Sequence, residues 1–255
     1  MKIVLLTQND PFYMPEAIAG FVNKVNGEGS HQIVKAIITE PSPFGKREST
    51  TDKMKRTYRV FGLSFFMTYA IKYVVRKFLL RKSVFRVLEE KNVSTWHLTT
   101  SINKKENIEK LKALDPDIIV IIAGNQIIKQ RVLDVPTHGV INAHSSMLPE
   151  YKGLMPTFWV LKNDEKKTGV TVFFLREGID DGPIINQEEI PIKENTTQKD
   201  LIIRCKEVAN ELLVEAINQI EDDRLDLKIN EGGSYFSFPK AEDVKAFKAR
   251  GKKFY

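Results

Sequence analysis

An asparagine and a histidine stand two residues apart, shortly after a strongly apolar run near the middle of the chain. The apolar run is PDIIVIIAG, and the polar side chains follow within VINAHSS at Asn142 and His144. Residues i and i+2 of an extended strand point to the same face, so the two side chains should act together. An amide N–H and an imidazolium both donate hydrogen bonds, which suits an oxygen that gains negative charge in a tetrahedral intermediate.

Two carboxylates follow in EGIDDGPI, where Asp180 and Asp181 lie between Gly178 and Gly182. We expect these glycines to allow a tight turn at the end of another strand. A carboxylate beside an imidazole can keep it protonated, or it can accept a proton from an attacking amine. Asparagine, histidine and a carboxylate therefore predict acyl transfer to an amine, a reaction that needs no metal ion. No metal-ligand spacing occurs in the chain.

The surrounding sequence alternates short apolar runs with amphipathic helical patterns. Strands are predicted at residues 1–7, 31–39, 117–124, 138–144, 168–175 and 183–192, and helices at 15–25, 108–115 and 155–164. The longest helix is predicted to begin at Thr197, which can cap the backbone with Asp200 three positions later, and to continue to residue 220. This alternation predicts an α/β fold with a largely parallel sheet. Ligands of such sheets bind outside the carboxyl ends of the strands, where Asn142 and His144 should lie.

The single cysteine, Cys205, excludes an intramolecular disulfide and a thiolate metal cluster. Its pattern with Leu201, Val208 and Leu212 predicts a buried structural thiol. A chain of 255 residues with one cysteine and no signal peptide pattern is expected in a reducing compartment, the cytoplasm.

The positive charge is concentrated in one part of the chain, which we call the basic segment, residues 53–88. It contains ten Lys or Arg residues and no Asp or Glu, so removing its charge from the net +6 leaves the rest of the chain at −4. The longest uncharged run, residues 60–71, is too short to span a bilayer, which takes about 20 apolar residues. We interpret residues 41–91 as an insertion with a Pro/Ser/Gly-marked loop and one or two basic, aromatic helices.

Three interpretations of the basic segment remain open. Phe61, Phe65 and Tyr69 lie at helical spacing, which favours an aromatic stripe packed on the core with lysines in solvent. Alternatively, the segment contacts anionic lipid at a membrane surface. The third interpretation is an electrostatic collar for a phosphate-rich acceptor, RNA included.

Five motifs, in order along the chain, carry a resemblance to a known family. They are N-x-H at Asn142–His144, the L-P of Met147–Pro149, Y-K-G at Tyr151–Gly153, T-G-V-T at Thr168–Thr171 and D-x-G-P at Asp180–Pro183. Together they resemble the formyltransferase family that uses 10-formyltetrahydrofolate, closely over residues 115–192 and loosely before it. The resemblance implies a Rossmann-like catalytic domain over residues 1–222. Residues 223–255 are expected to add a short strand pair and a helical tail.

The resemblance also assigns roles to residues. It implies that Asn142, His144 and Asp180, here called the triad, are catalytic, whereas Asp181 falls at a variable position and receives no role. The formyl donor is implied to lie between two loops and to bind largely through backbone atoms. These donor loops are represented by Gln126, Ile127 and Ile128, and by Arg176, Glu177, Gly178 and Ile179.

The family divides by what receives the formyl group. The purine-pathway enzymes resemble one another in a Gly/Ser-rich phosphate loop after the first strand, but LTQNDPFYMPEAI contains no glycine here, which disfavours them. The tRNA enzymes carry a separate C-terminal domain, which residues 193–255 cannot supply, so methionyl-tRNA is disfavoured as an acceptor. Hydrolysis of the donor stays open.

An amino sugar linked to a nucleotide is therefore the expected acceptor, with a role in surface-polysaccharide synthesis such as that of lipopolysaccharide. The terminal strand pair and the aromatic insertion could each serve a homodimer interface.

Overall fold

The computed structural model describes residues 1–42 and 49–255, and the expected loop of the insertion lies partly outside them. A seven-stranded sheet has the order β3-β2-β1-β4-β5-β7-β8, and a two-stranded sheet joins β6 to β9. The strands are β1 (Lys2–Gln8), β2 (Gln32–Thr39), β3 (Thr95–His97), β4 (Ile118–Ile122), β5 (Val140–His144), β6 (Lys152–Gly153), β7 (Lys167–Phe174), β8 (Ile184–Pro191) and β9 (Tyr235–Phe236).

The first five strands in this order are parallel, and β7 runs antiparallel to both of its neighbours, β5 and β8. The prediction of an α/β fold with a largely parallel sheet is confirmed, although the short edge strand β3 was not predicted. The chain winds outwards from β1 to β2 and β3, then returns to place β4 on the other side of β1. This reversal opens a crevice at the carboxyl ends of β1 and β4, where ligands of such sheets bind.

Helices cover both faces of the sheet. They are α1 (Met14–Glu28), α2 (Thr50–Phe61), α3 (Leu63–Val74), a π-helical turn (Val75–Leu79), α4 (Val84–Glu90), α5 (Lys105–Lys112), α6 (Gln130–Leu133), α7 (Pro156–Lys162), α8 (Gln198–Glu221) and α9 (Ala241–Ala249). Helix α8 begins at the predicted capping box of Thr197 and Asp200. Cys205 is fully buried on α8, as predicted, and burial raises the pKa of its thiol to about 12.

The insertion forms two helices because the chain breaks at Gly62, whose φ of 84° and ψ of 173° are accessible almost only to glycine. The predicted aromatic stripe packs inwards across this break. Phe61 stacks on Phe65, and Tyr69 stacks on Phe12 beside β1, at ring-centroid distances of 4.6 and 4.4 Å. Helix α4 ends the same connection between β2 and β3, and it is buried in the core at Val84 and Leu88.

The C-terminal segment does not form the strand pair expected within it. Its only named strand among the described residues, β9, pairs in parallel with β6 of the central Y-K-G motif. The helical tail is α9, whose Phe247 is fully buried and stacks on Phe158 of α7. The appendage therefore packs as part of the main core. Within the described residues, no helix is both long enough and apolar enough to cross a membrane.

Candidate functional site

Strand β5 places Asn142 and His144 at its carboxyl end, on one face of the sheet. The strand lies between β4 and β7, and Ile141 on its other face is fully buried in the core. His144 is buried and Asn142 is partly exposed. The side-chain amide of Asn142 has no hydrogen-bond partner in the described part of the chain, so both its N–H groups can donate to a ligand.

Both ring nitrogens of His144 face acceptors. Nε2 lies 2.8 Å from the carbonyl oxygen of Tyr151, and because a carbonyl only accepts, Nε2 must carry a hydrogen. Nδ1 lies 3.6 Å from Oδ2 of Asp180 and is the nitrogen directed at the site. This separation is longer than a hydrogen bond, so a hydrogen on Nδ1 is available to a ligand beside the carboxylate of Asp180.

Asp180 is held by groups from two distant parts of the chain. Its Oδ2 accepts a hydrogen bond from the amide of Gly153 at 2.8 Å, and its carbonyl oxygen accepts one from Nδ2 of Asn230 at 2.9 Å. Asn230 also donates to the carbonyl of Gly182. Asp180 itself has a φ of 49°, a left-handed conformation that aspartate tolerates better than most residues. The triad thus comes together at one point, with the Asp180 side chain only 13% exposed.

The two glycines around Asp180 serve a different purpose from the expected turn. Neither Gly178 nor Gly182 has a positive φ; instead, both allow close approach. A Cβ at Gly182 would lie 1.6 Å from the carbonyl oxygen of Phe174, and one at Gly178 would lie 1.8 Å from the carboxylate of Asp181. The loop after β7 can therefore fold against its own strand only without a side chain at Gly182, whereas a side chain at Gly178 would displace the carboxylate of Asp181.

The two donor loops follow β4 and β7 and contact each other. The amide of Gln130 donates to Oε1 of Glu177 at 2.9 Å, which joins them. The side chain of Gln126 is hydrogen-bonded to the protein backbone. Its oxygen accepts from the amide of Ile102, and its nitrogen donates to the carbonyl of Thr100. The side-chain oxygen and one side-chain N–H of Gln126 are therefore already engaged, while its backbone can still contact a ligand.

Each donor loop exposes one isoleucine. Ile127 is 56% exposed and Ile179 is 46% exposed, whereas Ile128 is buried in the core. Arg176, Glu177 and Gly178 are exposed on the surface of the second loop. Two apolar side chains beside exposed loop backbone suit a flat heteroaromatic ring, which stacks on apolar groups and hydrogen-bonds at its edge.

A cavity of about 920 Å³ lies on the other side of the crevice. Its floor is the chain after β1 and β2, including Asp10 and Glu40, and its wall is formed by the inserted helices. Leu154 and Met155, which follow Gly153 directly, complete the lining and connect it to the triad. The wall is basic, with Lys53, Arg56, Lys77, Arg81 and Lys82. This volume accommodates a ligand with an amine at one end and negative charge at the other.

The chain after β1 forms an internal turn in place of a phosphate cradle. The carboxylate of Asp10 accepts hydrogen bonds from the amides of Phe12 and Tyr13 at 3.2 and 3.4 Å, so these amides are already satisfied. Burial raises the pKa of Asp10, while these two hydrogen bonds and the nearby Lys206 and Arg76 act in the opposite direction. This agrees with the prediction from the missing glycines.

The comparison with family models supplies the identification. The Formyl transferase model matches residues 32–217, which is well over half of the chain. The chain belongs to the formyl transferase family. The match includes the triad and both donor loops.

Relatives in the family include enzymes with different acceptors. The methionyl-tRNA formyltransferase of Clostridioides difficile is 42% identical over 118 residues, which are 46% of this chain and 38% of that enzyme. Glycinamide ribonucleotide transformylase 1 of Symbiobacterium toebii has a TM-score of 0.64 at 17% identity, covering 91% of this chain and 95% of that one. An N-formyltransferase of Helicobacter canadensis, in complex with folinic acid and dTDP-3-aminofucose, has a TM-score of 0.57 at 19% identity, covering 93% and 71%. The two structural likenesses show the shared fold.

Sequence reasoning missed the groups that hold the triad in place. The tail residue Asn230 lies in a polar stretch with no pattern that indicates its two hydrogen bonds. Tyr151 was noted only as part of a motif, yet its carbonyl orients His144. The described residues contain no group of three His, Cys, Asp or Glu side chains arranged to hold a metal ion.

Proposed function

We propose that this chain transfers a formyl group from 10-formyltetrahydrofolate to an amine. The observation that carries the proposal is the convergence of Asn142, His144 and Asp180 at the carboxyl end of β5, in a member of the formyl transferase family. Two hydrogen-bond donors and one carboxylate are the groups that addition of an amine to a formyl carbon requires.

Each member of the triad has a role in this reaction. Asn142 and the Nδ1–H of His144 donate to the formyl oxygen as it gains negative charge. Asp180 stabilises the imidazolium and receives, directly or through water, the proton that the amine loses as its nitrogen bonds to the formyl carbon. The bond from that carbon to the donor nitrogen breaks, and the donor nitrogen takes a proton to give tetrahydrofolate.

The donor loops suit the formyl donor, which supplies an activated formyl carbon. We propose that backbone groups of Gln126, Ile127 and Ile128 bind the edge of its ring system, and that Arg176, Glu177, Gly178 and Ile179 form the opposite wall. The exposed side chains of Ile127 and Ile179, with the bridge between Gln130 and Glu177, support this placement.

For the acceptor, we propose an amino sugar linked to a nucleotide. Leu154 and Met155 connect the cavity to the triad, where the amine would react, and the basic side chains of the cavity wall can bind a diphosphate. The complex of the Helicobacter canadensis enzyme with dTDP-3-aminofucose supports the same class of acceptor for this fold.

Methionyl-tRNA is the second candidate, because the sequence relative from Clostridioides difficile is named for acting on it. Its aminoacyl end also combines an amine with nearby phosphate. The basic wall accommodates either acceptor, so an assay has to decide between them.

The test measures release of tetrahydrofolate from 10-formyltetrahydrofolate with no acceptor, with a panel of nucleotide-linked amino sugars, with methionyl-tRNA and with glycinamide ribonucleotide. Release that depends on one amino sugar is the expected result. Release that depends on methionyl-tRNA would identify the tRNA, not an amino sugar, as the acceptor. Release with no acceptor would show that the enzyme hydrolyses the donor. No release under any condition would contradict the proposal as a whole.

A further inference from the structure

Helix α3 and the π-helical turn after it have two opposite apolar faces. The inner face carries Phe65 and Tyr69, which pack on aromatic rings of the core. It is fixed at its end by Arg76, which donates to the carboxylate of Glu16 and to the carbonyl of Pro11. The helix therefore already has its packed face, and the apolar groups of the outer face do not contribute to it.

The outer face is an aliphatic and aromatic surface open to solvent, here called the apolar stripe. Its residues recur at spacings of four, four, three and four, which places them on one side of the helix. Their side chains are between 49% and 63% exposed: Leu63, Met67, Ile71, Val74 and Phe78. Leu79 and Leu80 extend the surface and are 73% and 54% exposed. A contiguous exposed surface of this kind marks an interaction site.

The charges around the apolar stripe are of one sign. Exposed cations lie at the end of the stripe at Lys77 and Arg81, helix α2 before it exposes Lys55 and Arg59, and the basic segment contains no acid between residues 53 and 88. An amphipathic helix with exposed apolar side chains and flanking Lys and Arg lies in the plane of an anionic bilayer. The cations attract the lipid headgroups, and the apolar side chains enter the boundary with the acyl chains.

Other occupants fit these features less well. A second copy of the chain would bring two basic segments face to face, with no acid in either segment to neutralise them. A nucleic acid would satisfy the cations but would leave the aliphatic stripe exposed to water. Only a surface that is both anionic and apolar satisfies both sets of groups.

We infer that the apolar stripe and its flanking cations dock the protein on an anionic lipid bilayer. Val74 belongs both to the stripe and to the lining of the cavity, so docking brings one side of the cavity close to the lipid headgroups. The catalytic triad stays on the sheet, outside the docked surface. This inference stands independently of formyl transfer, because docking needs neither donor nor acceptor.

Vesicle co-sedimentation of the full chain tests the inference. The probes are vesicles of phosphatidylcholine alone and of phosphatidylcholine mixed with phosphatidylglycerol. The wild type should bind the anionic vesicles, and the bound fraction should fall as salt rises. Replacing Leu63, Met67 and Ile71 together by Gln should weaken binding at least tenfold. The single variant Met67→Gln should show a smaller loss in the same direction.

The matched control is Ile229→Gln, because Ile229 is 78% exposed but lies far from α3 in the chain. It should bind vesicles like the wild type. The inference would be overturned by a wild type that ignores anionic vesicles, or by a triple variant that binds them normally. It would also be overturned if the wild type were a dimer that the triple substitution converts into a monomer, with neither protein binding lipid.

Discussion

The triad and the apolar stripe follow opposite physical rules. Around the triad, polar groups are enclosed, and Asp180 and His144 are held by hydrogen bonds from Gly153 and to Tyr151. Along the stripe, apolar groups are exposed, and helix α3 holds its position through its other face.

The difference separates two tasks within one molecule. Enclosed polar groups have fixed positions and act in a surrounding of low dielectric constant, which strengthens hydrogen bonds to a developing charge. Exposed apolar groups gain free energy only when something covers them. We therefore expect substitutions in the triad to change turnover, and substitutions in the stripe to change binding to a lipid bilayer.

The largest effect on turnover is expected from Asp180→Asn. The substitution keeps the size of the side chain but removes the charge and the proton acceptor, and general acid–base catalysis contributes about 100-fold to 10,000-fold. The rate of formyl transfer should fall within that range. Asp181→Asn is the matched control, because the adjacent carboxylate faces Gly178 and should matter little. Equal losses in the two variants would remove Asp180 from its assigned role.

A smaller effect is expected when the basic wall changes sign. Lys77→Glu combined with Arg81→Glu should raise KM for an anionic acceptor by about 10-fold to 100-fold, because each lost charge-assisted contact is worth about 1.5–3 kcal/mol before screening by solvent reduces it. The value of kcat should change little. Lys245→Glu, an exposed lysine on α9, controls for net charge. If the double variant has the wild-type KM when no lipid is present, the basic wall does not bind the acceptor.

Asn230→Ala tests a positioning residue. It removes two hydrogen bonds to the loop that carries Asp180, each worth about 0.5–1.5 kcal/mol, so kcat should fall about tenfold. The KM values should stay near those of the wild type while kcat falls, because the carboxylate moves relative to the imidazole; a purely structural role would lower stability without this selective loss of kcat. The exposed Asn195 provides the control variant Asn195→Ala.

The smallest effect on turnover is expected from Gly62→Ala, between α2 and α3. Space is available for a methyl group, but the backbone conformation is strained for any residue with a Cβ, which costs on the order of 1–3 kcal/mol. Chemical denaturation should show this loss while turnover without lipid stays near the wild-type value. Gly27→Ala, within α1 and also unobstructed, should instead be neutral or stabilising. A similar result for the two variants would show that Gly62 carries no backbone requirement.

The sequence predicts those parts of the fold that depend on local pattern. The six predicted strands and the capped helix α8 follow from periodicity and from the side chains of Thr197 and Asp200. Strand β3 is too short to produce a pattern, and the pairing of β9 with β6 depends on a contact between distant parts of the chain.

The site shows the same division. Asn142, His144 and Asp180 are recognisable from their residue types and motifs, whereas the support from Asn230 and the Tyr151 carbonyl comes from tertiary packing. The outer face of α3 was not distinguished from a core-packing face, because both consist of apolar residues at helical spacing. Only the structure shows which of the two is covered.

The central claim is that the polar end of β5 moves a formyl group from the donor to an amine. Its most direct test is mass spectrometry of the acceptor after a single turnover, for the wild type and for Asn142→Ala. The wild type should place the formyl group on the acceptor nitrogen, and Asn142→Ala should do so about 100-fold to 1,000-fold more slowly, because one donor to the oxyanion is lost. Formyl transfer at the wild-type rate by Asn142→Ala, or free formate as the only wild-type product, would contradict the claim.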